Sequence, residues 1–299
     1  MLRWGMEYDN ETLYLSIKHQ DIDAVKKHLA AGIKAENMDP WSGRSAISAC
    51  LEFLKDQSDA GYDKGNNKLV QIARLLLERI PAQKKTKALW AHMIDNDAPY
   101  IRSLASDEVV AELVKRCEEN PQAMFTMAAN GWHDNLELMI EHGAGVNIET
   151  DNQYKRSLLH IAVDSPGVSE PHRRARVAQV LLEAGIDPNA VDAEGSSALF
   201  GVRDVEVAQI LIGYGARVDQ LNNKNEGVLM GQWKTVSTPE CVVYLIERGA
   251  RIEQGPGIDE IETGKHKTIS NTLLGAWKRK KLEEIGGAKS QRKPPKIVI

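Results

Sequence analysis

A metal site or a nucleophile in this chain would have to be built from eight histidines, three cysteines and the carboxylates around them. The histidines stand at 19, 28, 92, 133, 142, 160, 172 and 266. No two have the i, i+4 spacing that puts two ligands on one helix face, and none neighbours a cysteine. Cys50, Cys117 and Cys241 form no CxxC pair and are too scattered for a disulfide framework. Cys50 and Cys241 sit in apolar helical patterns and read as small buried hydrophobes. Cys117 follows Lys115 and Arg116, which would favour a thiolate, but no histidine lies near it to complete a nucleophile. The HExxH, GxSxG and GxGxxG patterns are missing. Gly257–Lys265 approaches a phosphate loop, but six residues separate its glycines and His266 stands where a Mg²⁺-binding hydroxyl is needed. The sequence therefore offers no catalytic residue, metal or cofactor, and reads as non-enzymatic. An enzyme reading needs a cryptic site in the divergent stretch 82–119, around His92 or Asp95.

What the chain does have is repetition. HLAAGIKAE (28–36), MIEHGAGVN (139–147), LLEAGIDPNA (181–190), ILIGYGARVD (210–219) and YLIERGARIE (244–253) are variants of one phrase. In each, an apolar helical face runs into a glycine and then a short polar stretch. Glycine just past a helix takes positive φ without a Cβ clash and ends it. Those glycines fall at 32, 143, 185, 215 and 249, and the later gaps lie close to 33 residues. A fixed period of this size means stacked units, not separate domains.

At this point the chain resembles the ankyrin-repeat family. The resemblance rests on Ser157-Leu158-Leu159-His160-Ile161-Ala162, then Val177-Ala178-Gln179-Val180-Leu181-Leu182-Glu183-Ala184-Gly185. Weaker echoes are Gly195-Ser196-Ser197-Ala198-Leu199 and Gly43-Arg44-Ser45-Ala46-Ile47. It implies an all-α solenoid of helix-turn-helix repeats with short β-turn fingers. The expected units are 11–38, 39–81, 82–119, 120–149, 150–190, 191–219 and 220–253, with a cap over 254–285 containing a C-terminal capping helix. Together these make a solenoid of residues 1–285, followed by a basic flexible tail, 286–299. Within 82–119, residues 87–106 suggest a helix pair and 107–120 an additional helix. The 191–219 unit is shortened, because Asp204 starts its second helix almost at once. The resemblance also implies that His160 steadies a turn by hydrogen bonding to backbone.

The family binds proteins through a concave face and its fingers, so the expected contacts are aromatic and charged residues in turns and inner helices. These are Trp41 and Arg44 beside the turn Asp39–Gly43; Asp151, Tyr154, Lys155 and Arg156 in the finger 151–156; and Trp233 in an inner helix. The net charge of −4 hides an uneven split: residues 1–277 carry 30 basic against 40 acidic side chains, and the last 22 residues carry a net +6. An acidic body favours one or more protein partners with a basic surface. It disfavours nucleic acid except at the basic tail, and no small-molecule substrate is expected. No apolar run reaches the roughly 18 residues of a membrane span, and the N-terminus lacks a cleavable signal pattern, so the expected location is cytoplasmic. Irregular insertions and degenerate repeats suggest an arc shaped for one partner, as in an inhibitor or immunity-type protein neutralising a cognate toxin or enzyme. The alternative is a multi-partner scaffold or a secreted effector engaging host proteins.

Overall fold

Apolar residues three and four apart dictate most of the helices. In Lys68–Glu78 they are Leu69, Val70, Ile72, Ala73, Leu76 and Leu77, all buried, and Asn67 caps the start by accepting the Leu69 N–H at 2.8 Å. Burying a large aliphatic side chain of this kind contributes about 1.5–3 kcal/mol, and a side-chain cap about 1 kcal/mol. The computed structural model describes residues 10–36, 45–58, 67–96, 98–165, 171–235, 238–257, 261 and 267–290. Its Cα framework falls into two compact units, Met1–Gly145 and Val146–Ile299.

The first unit is all-helical among its described residues: α1 (Asn10–Lys18), α2 (Ile22–Ala30), α3 (Ala46–Ser58), α4 (Lys68–Glu78), α5 (Ala82–Asp95), α6 (Ile101–Leu104), α7 (Asp107–Glu119), α8 (Gln122–Asn130) and α9 (His133–Glu141). Consecutive helices pair as α1 with α2, α3 with α4 and α8 with α9. Between pairs, α1 packs on α3, α3 on α5 and α5 on α8, while α2 packs on α4 and α7 on α9. In 82–119 the assignment differs from the sequence expectation. The packed pair is α5 with α7, and the extra piece is the single-turn α6, which lies against α4. The reason is Asn135 of α9, which is 1% exposed. Its Oδ1 accepts the Ala98 N–H at 3.1 Å, and its Nδ2 donates to the Met93 and Asn96 carbonyls at 3.1 and 2.8 Å. The chain after α5 is thus tied down instead of continuing as a helix.

The second unit contains α10 (Leu158–Val163), α11 (Pro171–Glu183), α12 (Val205–Gly213), α13 (Val228–Thr235), α14 (Pro239–Glu247) and α15 (Lys267–Ser290), with 3-10 turns at Ala198–Gly201 and Ile252–Gln254. One row runs α11, α12, α14, α15, and the other runs α10, the turn 198–201, α13 and the turn 252–254. The shortened repeat expected at 191–219 has a single 3-10 turn in place of its first helix. The helix α13 comes so close to that turn that a Cβ on Gly231 would lie 2.3 Å from the Phe200 carbonyl oxygen. The last helix, α15, packs on α14 and on the turn 252–254 and continues to Ser290, past the expected boundary at 285. The stop glycines 32, 143, 185, 215 and 249 all take positive φ, from +87° to +101°. Among the described residues there is no strand; isolated bridges Glu149–Ser157 and Val191–Ser197 lie at the bases of two turns.

Candidate functional site

Three turns of the second unit share one construction. Each has an Asx residue at position i whose side chain accepts the N–H of i+2, and a residue of positive φ at i+3. In the middle turn, Asp192 Oδ1 accepts from Glu194 and Ser196 at 2.9 and 3.0 Å, and Gly195 has φ +78°. In the next, Asn222 Oδ1 accepts from Lys224 and Glu226 at 2.9 and 3.0 Å, and Asn225 has φ +59°. In the first, Asn152 Oδ1 accepts the Tyr154 N–H at 2.9 Å and Lys155 has φ +48°, but the Arg156 N–H goes to Thr150 Oγ1 at 3.0 Å, which makes a wider loop. A short amide or carboxylate side chain reaches its own backbone two residues on, so Asn and Asp do this equally well.

The turns are then hydrogen-bonded to one another through equivalent atoms. Ala193 N–H donates to the Tyr154 carbonyl at 2.8 Å, and Asn223 N–H to the Glu194 carbonyl at 2.9 Å. His160, in α10, adds a further link by donating from Nε2 to the Ser196 carbonyl at 2.9 Å. Its Nδ1 receives the Ser157 N–H at 3.3 Å, which fixes the proton on Nε2. Burial lowers the pKa of this imidazole, outweighing the Ser196 carbonyl, which would raise it. The neutral ring is therefore the working form.

Between the middle and third turns, the 3-10 turn 198–201 and α13 lies a pocket of about 130 Å³, lined among others by Arg156, Asp192, Glu194, Glu226 and Lys234. Ligand sites for cofactor-sized molecules run from about 300 to 1,000 Å³, so this one is too small for them. Glu226 Oε2 is held by Lys234 and Asn222, each at 2.8 Å. Partial burial raises the Glu226 pKa, but hydrogen bonds from Lys234 and Asn222 and the charges of Lys234 and Lys224 outweigh it and hold the carboxyl below its ordinary range. Arg156 donates to Asp164 at 2.9 Å, and Asp164 also takes Arg203 at 3.1 Å.

Residues 100–192 match the family model for ankyrin repeats, in three copies. An 88-residue stretch is 31% identical to a protein of Pyrobaculum aerophilum named as an ankyrin repeat protein, covering 29% of each chain. Residues 100–192 thus carry ankyrin repeats. It spans under a third of the length of that curated relative. Ankyrin repeats are protein-interaction modules, and the Asx turns are their fingers.

Of the residues expected to contact a partner, Trp41 and Arg44 lie outside the described residues. Asp151, Tyr154, Lys155 and Arg156 all fall in the first finger of the second unit. Asp151 and Lys155 are exposed and pair loosely at 4.0 Å, and Tyr154 is 48% exposed. Arg156 lines the pocket but is already bound to Asp164. Trp233 is half-buried on α13 and is not part of the pocket wall. Sequence reasoning passed over Asp192, Glu194, Glu226 and Lys234. The signal for their fingers was the Asx residue three positions before Gly195 and Asn225, which marks an Asx turn without any match to the ankyrin phrase.

Elsewhere among the described residues, His92 and the three thiols are hydrogen-bonded or buried. His92 forms a short hydrogen bond to the buried Tyr100 hydroxyl, which donates to the Leu51 carbonyl at 3.2 Å, while Asn96 donates to His92 Nδ1 at 3.5 Å. Burial, then the charge of Lys55, lowers the His92 pKa to about 4 against a small opposing effect of Asp95. All three thiols are free and buried. The thiolate-favouring setting expected for Cys117 is not found: burial, helped by Glu118, pushes its pKa up to about 12. Burial does the same to Cys241, with Asp204 adding to it, and raises Cys50 further. Among the described residues no cluster of three or more His, Cys, Asp or Glu could hold a metal ion, and no helix is long and apolar enough to cross a membrane.

Proposed function

We propose that this protein is a non-catalytic inhibitor or immunity-type protein that binds one cognate enzyme or toxin through the fingers of residues 146–299 and the row that contains α10 and α13. The observation that carries this reading is the finger row itself. Its turns are closed by their own Asx and Thr side chains and bonded to each other through backbone, so the surface is ordered before any partner arrives. A surface already ordered loses little conformational freedom on association, which leaves more of the contact energy as affinity. Unequal finger widths and the single 3-10 turn at Ala198–Gly201 break the regular spacing of the row. That irregularity suits one shaped partner better than many. The acidic body points to a partner with a basic face.

The full-length chain, used as bait in its native cells, should recover one stoichiometric protein whose activity falls on rebinding in purified form. Recovery of a partner that keeps its full activity would overturn inhibition. Several substoichiometric partners would instead establish the scaffold reading.

A further inference from the structure

We propose that the pocket between the middle and third fingers receives an arginine side chain of the partner. This deepens the protein-binding reading above and rests on it. The pocket's charged lining is Arg156, Asp192, Glu194, Glu226 and Lys234, an excess of one negative charge. Three of these groups are already matched, because Lys234 holds Glu226 at 2.8 Å and Arg156 holds Asp164 at 2.9 Å. Asp192 and Glu194 carry the remaining charge. Asp192 uses Oδ1 for its own turn. Glu194 pairs with Lys224 at 3.9 Å, with both side chains more than half exposed.

A second observation is independent of charge. Ser197 lines the same pocket, is 2% exposed, and its buried hydroxyl has no hydrogen-bond partner. A buried polar group without a partner costs free energy, so a ligand that supplies a donor gains by satisfying it. The pocket thus offers carboxylates and a hydroxyl acceptor in a volume of about 130 Å³, which holds one long side chain. A guanidinium fits that combination. It is planar, carries five donors in a fixed fork and loses less hydration than an ammonium, so it can meet the carboxylates and the hydroxyl together. Lysine presents a compact, strongly hydrated point charge that matches the carboxylates but does not span both.

The fingers themselves provide a clean test. Asn152 and Asn222 hold their turns with the same side-chain acceptor that Asp192 uses, so Asp192→Asn removes charge and keeps the turn. The probe is the peptide acetyl-Gly-Arg-Gly-amide, titrated into the isotope-labelled full-length chain and followed by NMR at the Gly195, Ser197, Gly201 and Gly231 amides. Saturable shifts at these four, about tenfold weaker with citrulline or lysine in place of arginine, are expected. D192N/E194Q should lose the response while its remaining spectrum stays unchanged. Shifts that do not saturate, or an equal response to citrulline, would overturn the proposal. The two readings fail separately. A recovered partner that binds D192N/E194Q as tightly as the parent would sink the arginine pocket and leave protein binding intact. If no partner is recovered at all, protein binding fails, while the peptide titration still decides the pocket's chemistry.

Discussion

Two imidazoles, the half-buried His92 and the buried His160, make stability fall on acidification. Each has a folded pKa below the ordinary histidine value of about 6.5, with burial as the largest cause. The unfolded chain therefore binds more protons than the native one in the window beneath that value, and stability rises with pH there. On the acid side it is lost progressively from pH about 6.5 downward, with the His92 share spent by about pH 4. Urea unfolding at pH 7.5 and pH 5 should show the difference, and His92→Gln should flatten it. Asn135 makes a second residue-scale case. Its three bonds to buried backbone close the chain after α5, so Asn135→Ala leaves those groups unpaired and should cost about 3 kcal/mol in a chemical melt. The turn-bonding of His160 was implied by the resemblance, but the roles of His92 and Asn135 were not legible in the sequence. A histidine or asparagine in a helical pattern has the same letter whether it faces water or ties down a loop thirty-seven residues away.

Elements were easier to read. The glycine stops and apolar phases place helices over 12–19, 21–31 and 69–79, and α1, α2 and α4 lie within two residues of these, because helix ends are written locally in caps and glycines. Asn67 and Thr238 are such caps, the latter accepting the Cys241 N–H at 3.3 Å. The exception at 82–119 arises from a long-range hydrogen bond, which no local pattern encodes. Between elements, the approach of α13 to the 3-10 turn allows a sharp test. Gly231→Ala would press a methyl group against the Phe200 backbone at 2.3 Å and should cost about 2–3 kcal/mol. Gly145→Ala, which meets nothing within 4 Å, is the control. Thermal unfolding of the two variants would separate crowding from any general intolerance of change. The fingers show the limit of phrase matching. Lys155 and Asn225 take the left-handed conformation usually given to glycine; the first finger was still legible from its mixed aromatic and charged residues, but the third was hidden from a search keyed on glycine.

At the scale of the whole molecule, charge and composition were legible and the partner was not, since recognition depends on which side chains the fold brings together. The body's 40 acidic against 30 basic side chains create a field felt over about a Debye length, roughly 10 Å at 0.1 M salt. Association with a basic partner should therefore slow by about tenfold or more between low salt and 0.5 M, while dissociation changes little; stopped-flow mixing across salt concentrations would measure both. The buried thiols have a further use at this scale. Cys50 and Cys117 belong to the first unit and Cys241 to the second. A thiol with a pKa near 12 reacts only when its surroundings open. Each cysteine is thus a native clock for local opening. Mass spectrometry of alkylated peptides would time the two halves of one unmodified chain in a single experiment.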